Sequence, residues 1–335
     1  MRIAQYQLLS NMLIPTLVVL AAVNPIFAAD GLPGVSTVRA LANSSTLGAG
    51  QESTISRFAD AAGKSLASSN PNEANLEAVR KDLLVPLSDG FTPAFSRAYG
   101  ARLLESFGNY DDDSRTPQQQ MIAFSTLAST GSTSCLMDLA ERITNLESDS
   151  SPWKALAMCR TLGQGITKAV ALDLADRSRI DLARMLSRIA SRVSSDAKRH
   201  VMQGFVELGG GENADIARRW SDALKALAER DSLSMEDLLC MESATVALRS
   251  VLLNPANRDT REARETAAQT LAPALLAFHA KAADHLNKDS TLNARLRAHL
   301  GRVDQVLPFL GTRGVSLGAL WDAGDADGLR AAAVR

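Results

Sequence analysis

The stretch Asp181–Val193, which reads DLARMLSRIASRV, indicates the fold class of this chain. Its apolar residues Leu182, Leu186, Ile189 and Val193 follow one another at steps of four, three and four. That period is typical of an α-helix with one face buried in a core. Two further apolar stripes repeat it, one over Ile216, Trp220, Ala223 and Leu227 and the other over Leu238, Met241, Thr245, Leu248 and Leu252.

Outside these stripes, the sequence carries the signals that start helices. A cap side chain accepts an unpaired backbone N–H, and proline is tolerated in the first helical turn. Ser234 and Asp237 also resemble a capping box. From Ser53 onward no run of alternating β-branched residues indicates a strand. We therefore predict an all-α chain of about fourteen helices. The proline-marked starts are Asn70-Pro71, Thr92-Pro93, Thr116-Pro117 and Ser151-Pro152.

The spacing of these starts resembles a known repeat. Pro71, Pro93 and Pro117 are 22 and 24 residues apart. Two such helices occupy about 46 residues, near the 40–47 of HEAT and armadillo repeats. In helix and connection length alone, residues 60–310 are similar to these proteins. The resemblance implies an α-solenoid of stacked helix pairs, and the alternative is an irregular multi-helix bundle.

The N-terminal residues have the pattern of an export signal. No charged residue lies between Arg2 and Asp30, and the apolar run Leu13–Val23 is too short for the roughly 20 residues of a membrane span. Small residues follow at Ala28 and Ala29. We predict a cleaved signal peptide over 1–29, a secreted or periplasmic protein, and no membrane span after cleavage. An uncleaved anchor is the alternative.

The rest of the chain divides by composition into three parts. Residues 30–52 are rich in Gly, Ser and Ala, and we predict a flexible leader there. An all-α helical-repeat domain follows over 53–310. A short helix and a tail complete the chain over 311–335.

Composition excludes several classes of function. The net charge of −1 is unsuited to a polyanion-binding protein, and 15 aromatic residues are too few for a base-stacking platform. Three cysteines cannot form a four-ligand zinc site or a disulfide scaffold. We therefore predict a monomer that binds no nucleic acid, metal or cofactor.

Motifs that resemble catalytic or ion-binding sequences lack the rest of their pattern. Gly314–Gly318 matches G-x-S-x-G but has no later histidine, and Ser151–Lys154 matches S-x-x-K without the partner motifs. We interpret them as a turn and as a helix cap with a solvated lysine. Asn109–Asp113 and Asp325–Gly328 begin like calcium loops but lack the acidic residue at position twelve, so we interpret both as solvated loops.

One glutamate supports an enzymatic alternative. Glu105 and Ser106, in LLESFG, resemble the Glu-Ser pair of lytic transglycosylases, in which the glutamate acts as a general acid. The other motifs of that family are missing. The resemblance implies a cell-envelope hydrolase as the alternative to a protein with no catalytic site.

Arginines supply the candidate binding surface. The stretch from Arg177 to Arg199 contains six arginines, one lysine and two aspartates, which gives a net charge of +5 in 23 residues. Arg184, Arg188 and Arg192 are four residues apart, opposite the apolar stripe of the opening stretch. This arginine ridge could bind an acidic protein or an anionic envelope component. The alternative is a solvated helix face. We therefore predict an exported binding or scaffolding module.

Two cysteines form a candidate disulfide, because thiols pair in an oxidising compartment. Cys135 lies about 14 residues before the predicted turn between two helices, and Cys159 about 9 after it. Along antiparallel helices these positions differ by roughly 7 Å. A Cys135–Cys159 bridge is thus possible. The alternative is three buried thiols, and Cys240 is expected to be buried in both cases.

Overall fold

The computed structural model describes residues 32–68, 72–146, 152–209, 213–228, 233–253, 261–286, 291–310 and 314–332. These residues form fifteen α-helices and three short 3₁₀ helices, and they contain no strand. The predicted all-α class is confirmed.

The helices are numbered in chain order. The first eight are α1 (Val35–Leu41), α2 (Ala49–Leu66), α3 (Glu73–Leu84), α4 (Pro93–Phe107), α5 (Pro117–Ser129), α6 (Thr133–Asn145), α7 (Pro152–Ala171) and α8 (Asp176–Ala190). The others are α9 (Ser195–Glu207), α10 (Ala214–Ala228), α11 (Met235–Leu253), α12 (Arg261–Ala282), α13 (Thr291–Asp304), α14 (Leu317–Asp322) and α15 (Ala326–Ala332). The 3₁₀ helices are Val85–Leu87, Ala283–His285 and Leu307–Leu310.

Several helices begin where their caps predict. Thr92 caps α4 through its side-chain oxygen. At α5, the Gln119 N–H donates to the Thr116 hydroxyl and the Thr116 N–H donates to the Gln119 side chain, which completes a capping box. Ser234 and Asp237 exchange the same two bonds before α11. The predicted caps Asn70 and Ser151, with Pro71, lie outside the described residues.

The helices pack in two interleaved series. In the even series α2 packs against α4, and so on through α6, α8, α10 and α12. In the odd series α3 packs against α5, and so on through α7, α9, α11 and α13. Most helices that are consecutive in the chain touch as well. This arrangement is compatible with a helical repeat.

The segment predicted as a flexible leader differs from that expectation. It contains α1 and the start of α2, and Leu32, Val38 and Ala42 are buried. The Ala42 carbonyl accepts the N–H of Thr92, and the Ser44 carbonyl accepts the Thr92 hydroxyl at 2.6 Å. The few apolar residues of this stretch thus pack against the rest of the chain despite its glycine and serine content.

Two apolar cores hold the described helices. The larger extends from Leu32 to Val306. The smaller includes Leu300, Val303, Leu317 and Leu329 of α13–α15. The region 311–335 thus contributes two short helices, where one was predicted. Every helix among the described residues is too short or too polar to span a lipid bilayer. The predicted signal peptide, 1–29, lies outside these residues.

Candidate functional site

The arginine ridge begins on an exposed face of α8 and ends just beyond that helix. Arg184 and Arg188 lie in α8, Arg192 lies two residues after its last residue, and all three are exposed. The predicted apolar stripe is buried at Leu182, Leu186 and Ile189, whereas Val193 follows the helix and is half-buried. Arg184 pairs with Asp181 at 3.0 Å, and Arg192 donates to the Thr144 carbonyl at the end of α6. Within the described residues Arg188 makes no ion pair. The ridge therefore offers one unengaged guanidinium between two that already have contacts.

The two cysteines of the candidate disulfide are not bonded. Cys135 in α6 and Cys159 in α7 are free and buried, and Cys240 is buried as well. The structure thus has the alternative arrangement of buried thiols instead of the Cys135–Cys159 bridge. Burial raises the pKa of Cys135 to about 11 and that of Cys159 to about 12. Protonated, inaccessible thiols are poor nucleophiles, so neither cysteine is suited to catalysis.

The G-x-S-x-G motif forms a helix cap. Ser316 precedes α14, and its side chain accepts the Ala319 N–H. The Ser316 hydroxyl donates to the Asp304 carboxylate at 2.9 Å, and the Leu317 and Gly318 N–H groups donate to the same carboxylate at 2.6 and 3.0 Å. The Ser316 hydroxyl and the two N–H groups that follow it are therefore engaged in starting this short helix.

The first calcium-like loop binds cations of the protein itself. Lys154, which we expected to be solvated, is only 7% exposed. Its ammonium donates to the Asp113 carboxylate at 2.9 Å and to the Asp111 carbonyl, while the Asp111 carboxylate pairs with Arg142. Among the described residues, no three His, Cys, Asp or Glu side chains are arranged to hold a metal ion. These carboxylates therefore fix the loop between α4 and α5.

Tyr110, which belongs to the same loop, connects that loop to α6. The buried Tyr110 hydroxyl donates to Asp138 of α6 at 2.6 Å, and Arg142 Nε donates to the same carboxylate at 2.8 Å. The Arg142 guanidinium lies 4.3 Å from the centre of the Tyr110 ring. Burial and the Asp138 hydrogen bond raise the pKa of Tyr110 far above its usual range. The phenol thus stays neutral, and the network is structural.

The glutamate of the hydrolase alternative lies on the surface. The Glu105 carboxylate is 69% exposed and pairs with Arg102 at 2.9 Å, and Ser106 donates to Asp60 at 2.9 Å. A general acid of a glycosidase is normally sheltered in a cleft that takes the sugar. Glu105 lines neither the groove beside Ser125 and Lys168 nor the cavity beside Val35 and Asp89.

A groove over α5, lined by apolar and polar side chains, was not predicted from the sequence. Its volume is about 310 Å³, within the range of small-ligand sites. Only a weak sequence signal points to it: Pro117–Ser129 contains no charged residue, which is unusual for a helix with an open face. The α5 groove is lined by Leu84 and Leu87 on the α3 side, Ser125 and Ser129 of α5, and Gln164 and Lys168 of α7.

Hydrogen bonding sets the polarity of the α5 groove. The hydroxyls of Ser125 and Ser129 donate to backbone carbonyls of their own helix at 3.1 and 2.6 Å, so their oxygens remain free to accept. The Lys168 ammonium lies 4.9 Å from the centre of the Phe91 ring and has no ion pair among the described residues. No acidic residue lines the groove. It therefore presents one cation beside neutral polar groups and apolar walls.

The shape of the groove depends on the close packing of α7 on α5 at Gly165. Gly165 of α7 also lines it, and a Cβ at this position would lie 2.9 Å from the Ala128 carbonyl oxygen and 2.5 Å from Leu136. Only glycine therefore allows α7 to pack this closely on α5.

No protein-family model matches this chain, and no curated protein or solved structure matches it either. The function is therefore inferred from the geometry of its own residues.

Proposed function

We propose that this chain is an exported binding module, an α-solenoid of stacked helix pairs with partner sites on its surface. The interleaved packing of the even and odd series carries the proposal. In a repeat array each unit contacts only its neighbours, whereas the helices of a bundle share one central core. Contacts between next-but-one helices favour the first arrangement and create long faces for partners.

The proposal that the protein is exported rests on the sequence pattern of residues 1–29. Sequencing the N-terminus of protein recovered from the periplasm or medium tests it. We expect a mature chain that begins at Ala29 or Asp30. A chain that begins at Met1 contradicts cleavage.

The ligand that best fits the α5 groove is a peptide segment with a carboxylate, either an acidic side chain or a chain terminus. Lys168 supplies the positive charge, the Gln164 amide adds a donor, and Leu84 and Leu87 provide apolar contact. The serine oxygens can accept the peptide N–H groups. The hydrolase alternative has no observation in its favour among the described residues.

Replacing Lys168 by methionine should weaken this recognition while leaving the fold intact. The probe is acetyl-Leu-Glu-amide, titrated against protein with labelled methyl groups, and Leu84 and Leu87 report binding. Loss of a charge-assisted contact should weaken binding about tenfold or more. Lys64→Met, at an exposed lysine of α2, is the matched control.

Two further ligands test whether the carboxylate of the peptide is the group that the α5 groove recognises. Acetyl-Leu-Gln-amide should bind much more weakly than the glutamate peptide, and acetyl-Leu with a free terminus tests the second source of carboxylate. Equal methyl shifts for the glutamine and glutamate peptides, or equal binding by Lys168→Met, contradict the proposed ligand.

The arginine ridge is the second surface of the proposed module, suited to an anionic membrane. Reversing Arg184, Arg188 and Arg192 to glutamate should weaken binding to phosphatidylglycerol vesicles at least about tenfold and remove its salt dependence. The fold should persist, because exposed ion pairs contribute at most about 1 kcal/mol each. Arg97→Glu, at an exposed arginine of α4, is the control. Equal vesicle binding by the triple variant would return the ridge to a solvated face.

A further inference from the structure

Two fully buried histidines meet between α12 and α13. The ring centres of His279 and His299 are 5.7 Å apart, and the planes are inclined by 34°. Phe278 presents its ring nearly at right angles to both, at 6.3 and 5.9 Å. Among the described residues, none of the four ring nitrogens has a hydrogen-bond partner. Such burial is costly for a polar group and far more costly for a charged one.

The surroundings of the pair already carry excess positive charge. Glu242 of α11 is 8% exposed and accepts hydrogen bonds from Arg295 at 2.9 Å and from Arg302 at 2.8 Å. One carboxylate therefore faces two guanidinium groups. Glu242 favours a charge on His299, whereas Arg302 opposes it. A charge on His299 in turn opposes one on His279.

The other described elements that pack against α12 are α10, α11, α15 and the 3₁₀ helices Ala283–His285 and Leu307–Leu310. Within the described part of the chain, the charged side chains Glu242 and Arg302 shift the pKa of His299, and His299 shifts the pKa of His279. Both histidines are therefore neutral in the packed state. Burial lowers the pKa of His299 to about 4 and that of His279 well below its usual range.

The direction of the pH effect follows from these shifts. A released imidazole binds a proton near its ordinary pKa of about 6.5, whereas a packed one does not. The contact is thus fully stable above that pH. It loses stability as the pH falls from about 6.5 towards about 4, because the open state takes up protons that the packed state excludes.

The residues beyond the pair form a unit with its own connections. α13–α15 contribute most of the smaller apolar core, and Arg297 of α13 pairs with Asp322 of α14 at 2.6 Å. The ties back to the preceding helices include the histidine contact, the Glu242 ion pairs and the pairing of Arg330 with Asp284 at 3.0 Å. Leu296 and Val306 also pack in the larger apolar core.

We propose that the His279–His299 pair is an acid-sensitive joint, which releases α13–α15 from α12 at mildly acidic pH while the helices from α2 to α9 stay folded. This regulation goes beyond the proposed binding function and does not depend on either partner site.

Hydrogen exchange of the full chain, followed by mass spectrometry and corrected for the intrinsic rate, tests the joint. Between about pH 7.5 and about pH 5, protection of α13 should fall about 30-fold if one imidazole is protonated and up to about 1000-fold if both are. Protection of α4 and α6 should stay constant. Unchanged protection of α13, or an equal loss in α4 and α6, would overturn the proposal.

Variants separate the histidines from general acid lability. The double substitution His279→Leu with His299→Leu should keep α13 protected at about pH 5, whereas His200→Gln, at a half-buried histidine of α9, should behave like the unmodified protein. A folded double variant that still loses protection refutes the joint.

Glu242→Gln provides a second test that keeps both imidazoles. It removes the carboxylate that, among the described residues, favours a charge on His299, so the pKa of the packed His299 should fall further. The loss of α13 protection should still begin near the ordinary pKa of a released imidazole, about 6.5, but should continue to a lower pH than in the unmodified protein. A loss that levels off at the same or a higher pH contradicts the proposed charge balance.

Discussion

Replacing Gly63 by alanine should destabilise the protein by about 2 kcal/mol or more, although alanine is the better helix former. Gly63 lies inside α2, and a Cβ there would overlap the carbonyl oxygen of Ser106 in α4. A backbone carbonyl cannot rotate away as a flexible side chain can, so α2 and α4 would have to separate. Urea unfolding measures the loss as a lower midpoint at an unchanged slope.

The same helix contains the matched control. Gly50 also belongs to α2, but a Cβ at this position meets nothing within 4 Å. Gly50→Ala should therefore be neutral, or stabilising by up to about 1 kcal/mol, because alanine restricts the unfolded chain. If both substitutions have the same effect, the close approach of α2 to α4 does not explain the glycine.

Local features of the fold were predictable because their physics is local. The capping box of Thr116 with Gln119 and that of Ser234 with Asp237 each involve residues three apart, so the sequence contains the whole interaction. Arg184 and Arg188 of the arginine ridge are similar, since their spacing along α8 determines that they share a face. Such features follow from helix geometry without knowledge of the neighbours.

The polar networks could not be predicted, because their members are distant in the chain. Tyr110 and Asp138 are 28 residues apart, and Lys154 and Asp113 are 41 apart. Taken singly, Lys154 resembles a solvated lysine and Asp113 a calcium ligand. Only the packing of α7 beside the loop between α4 and α5 brings them together, and each then neutralises the other.

For the segment 30–52, the composition predicts a flexible leader, whereas its described residues fold against the rest of the chain. Glycine, serine and alanine predict a leader with too little apolar surface to fold. The structure shows that Leu32, Val38 and Ala42 are buried against later helices. Apolar residues that are too few for a core of their own are thus buried in the larger core, which the composition of the segment does not reveal.

The α5 groove and the histidine pair could not be predicted either, because their residues are distant in the chain. Both lie between helices that the sequence predicts separately, and their chemistry depends on which faces meet. A helix without charge and two isolated histidines are weak signals, since each is more often an ordinary part of a core.

Replacing Trp220 by alanine is expected to have the largest effect, a loss of about 3–5 kcal/mol. Trp220 of α10 is fully buried, and its ring lies parallel to that of Phe205 in α9 within 6°, with centres 6.2 Å apart. Its indole N–H has no hydrogen-bond partner among the described residues. The loss therefore comes from packing. Trp153→Ala, at a tryptophan of α7 that is 36% exposed, is the control and should cost less than about 1 kcal/mol.

The distribution of that loss along the chain distinguishes a solenoid from a bundle. α10 packs against α8, α9, α11 and α12. In a stack whose units are stabilised by their neighbours, Trp220→Ala should lower hydrogen-exchange protection in α8–α12 and leave α2–α5 nearly unchanged. In a bundle with one shared core, protection should fall together in every helix. A uniform loss in α2–α5 and α8–α12 would therefore contradict the solenoid, and with it the long helical faces on which the proposed binding function depends.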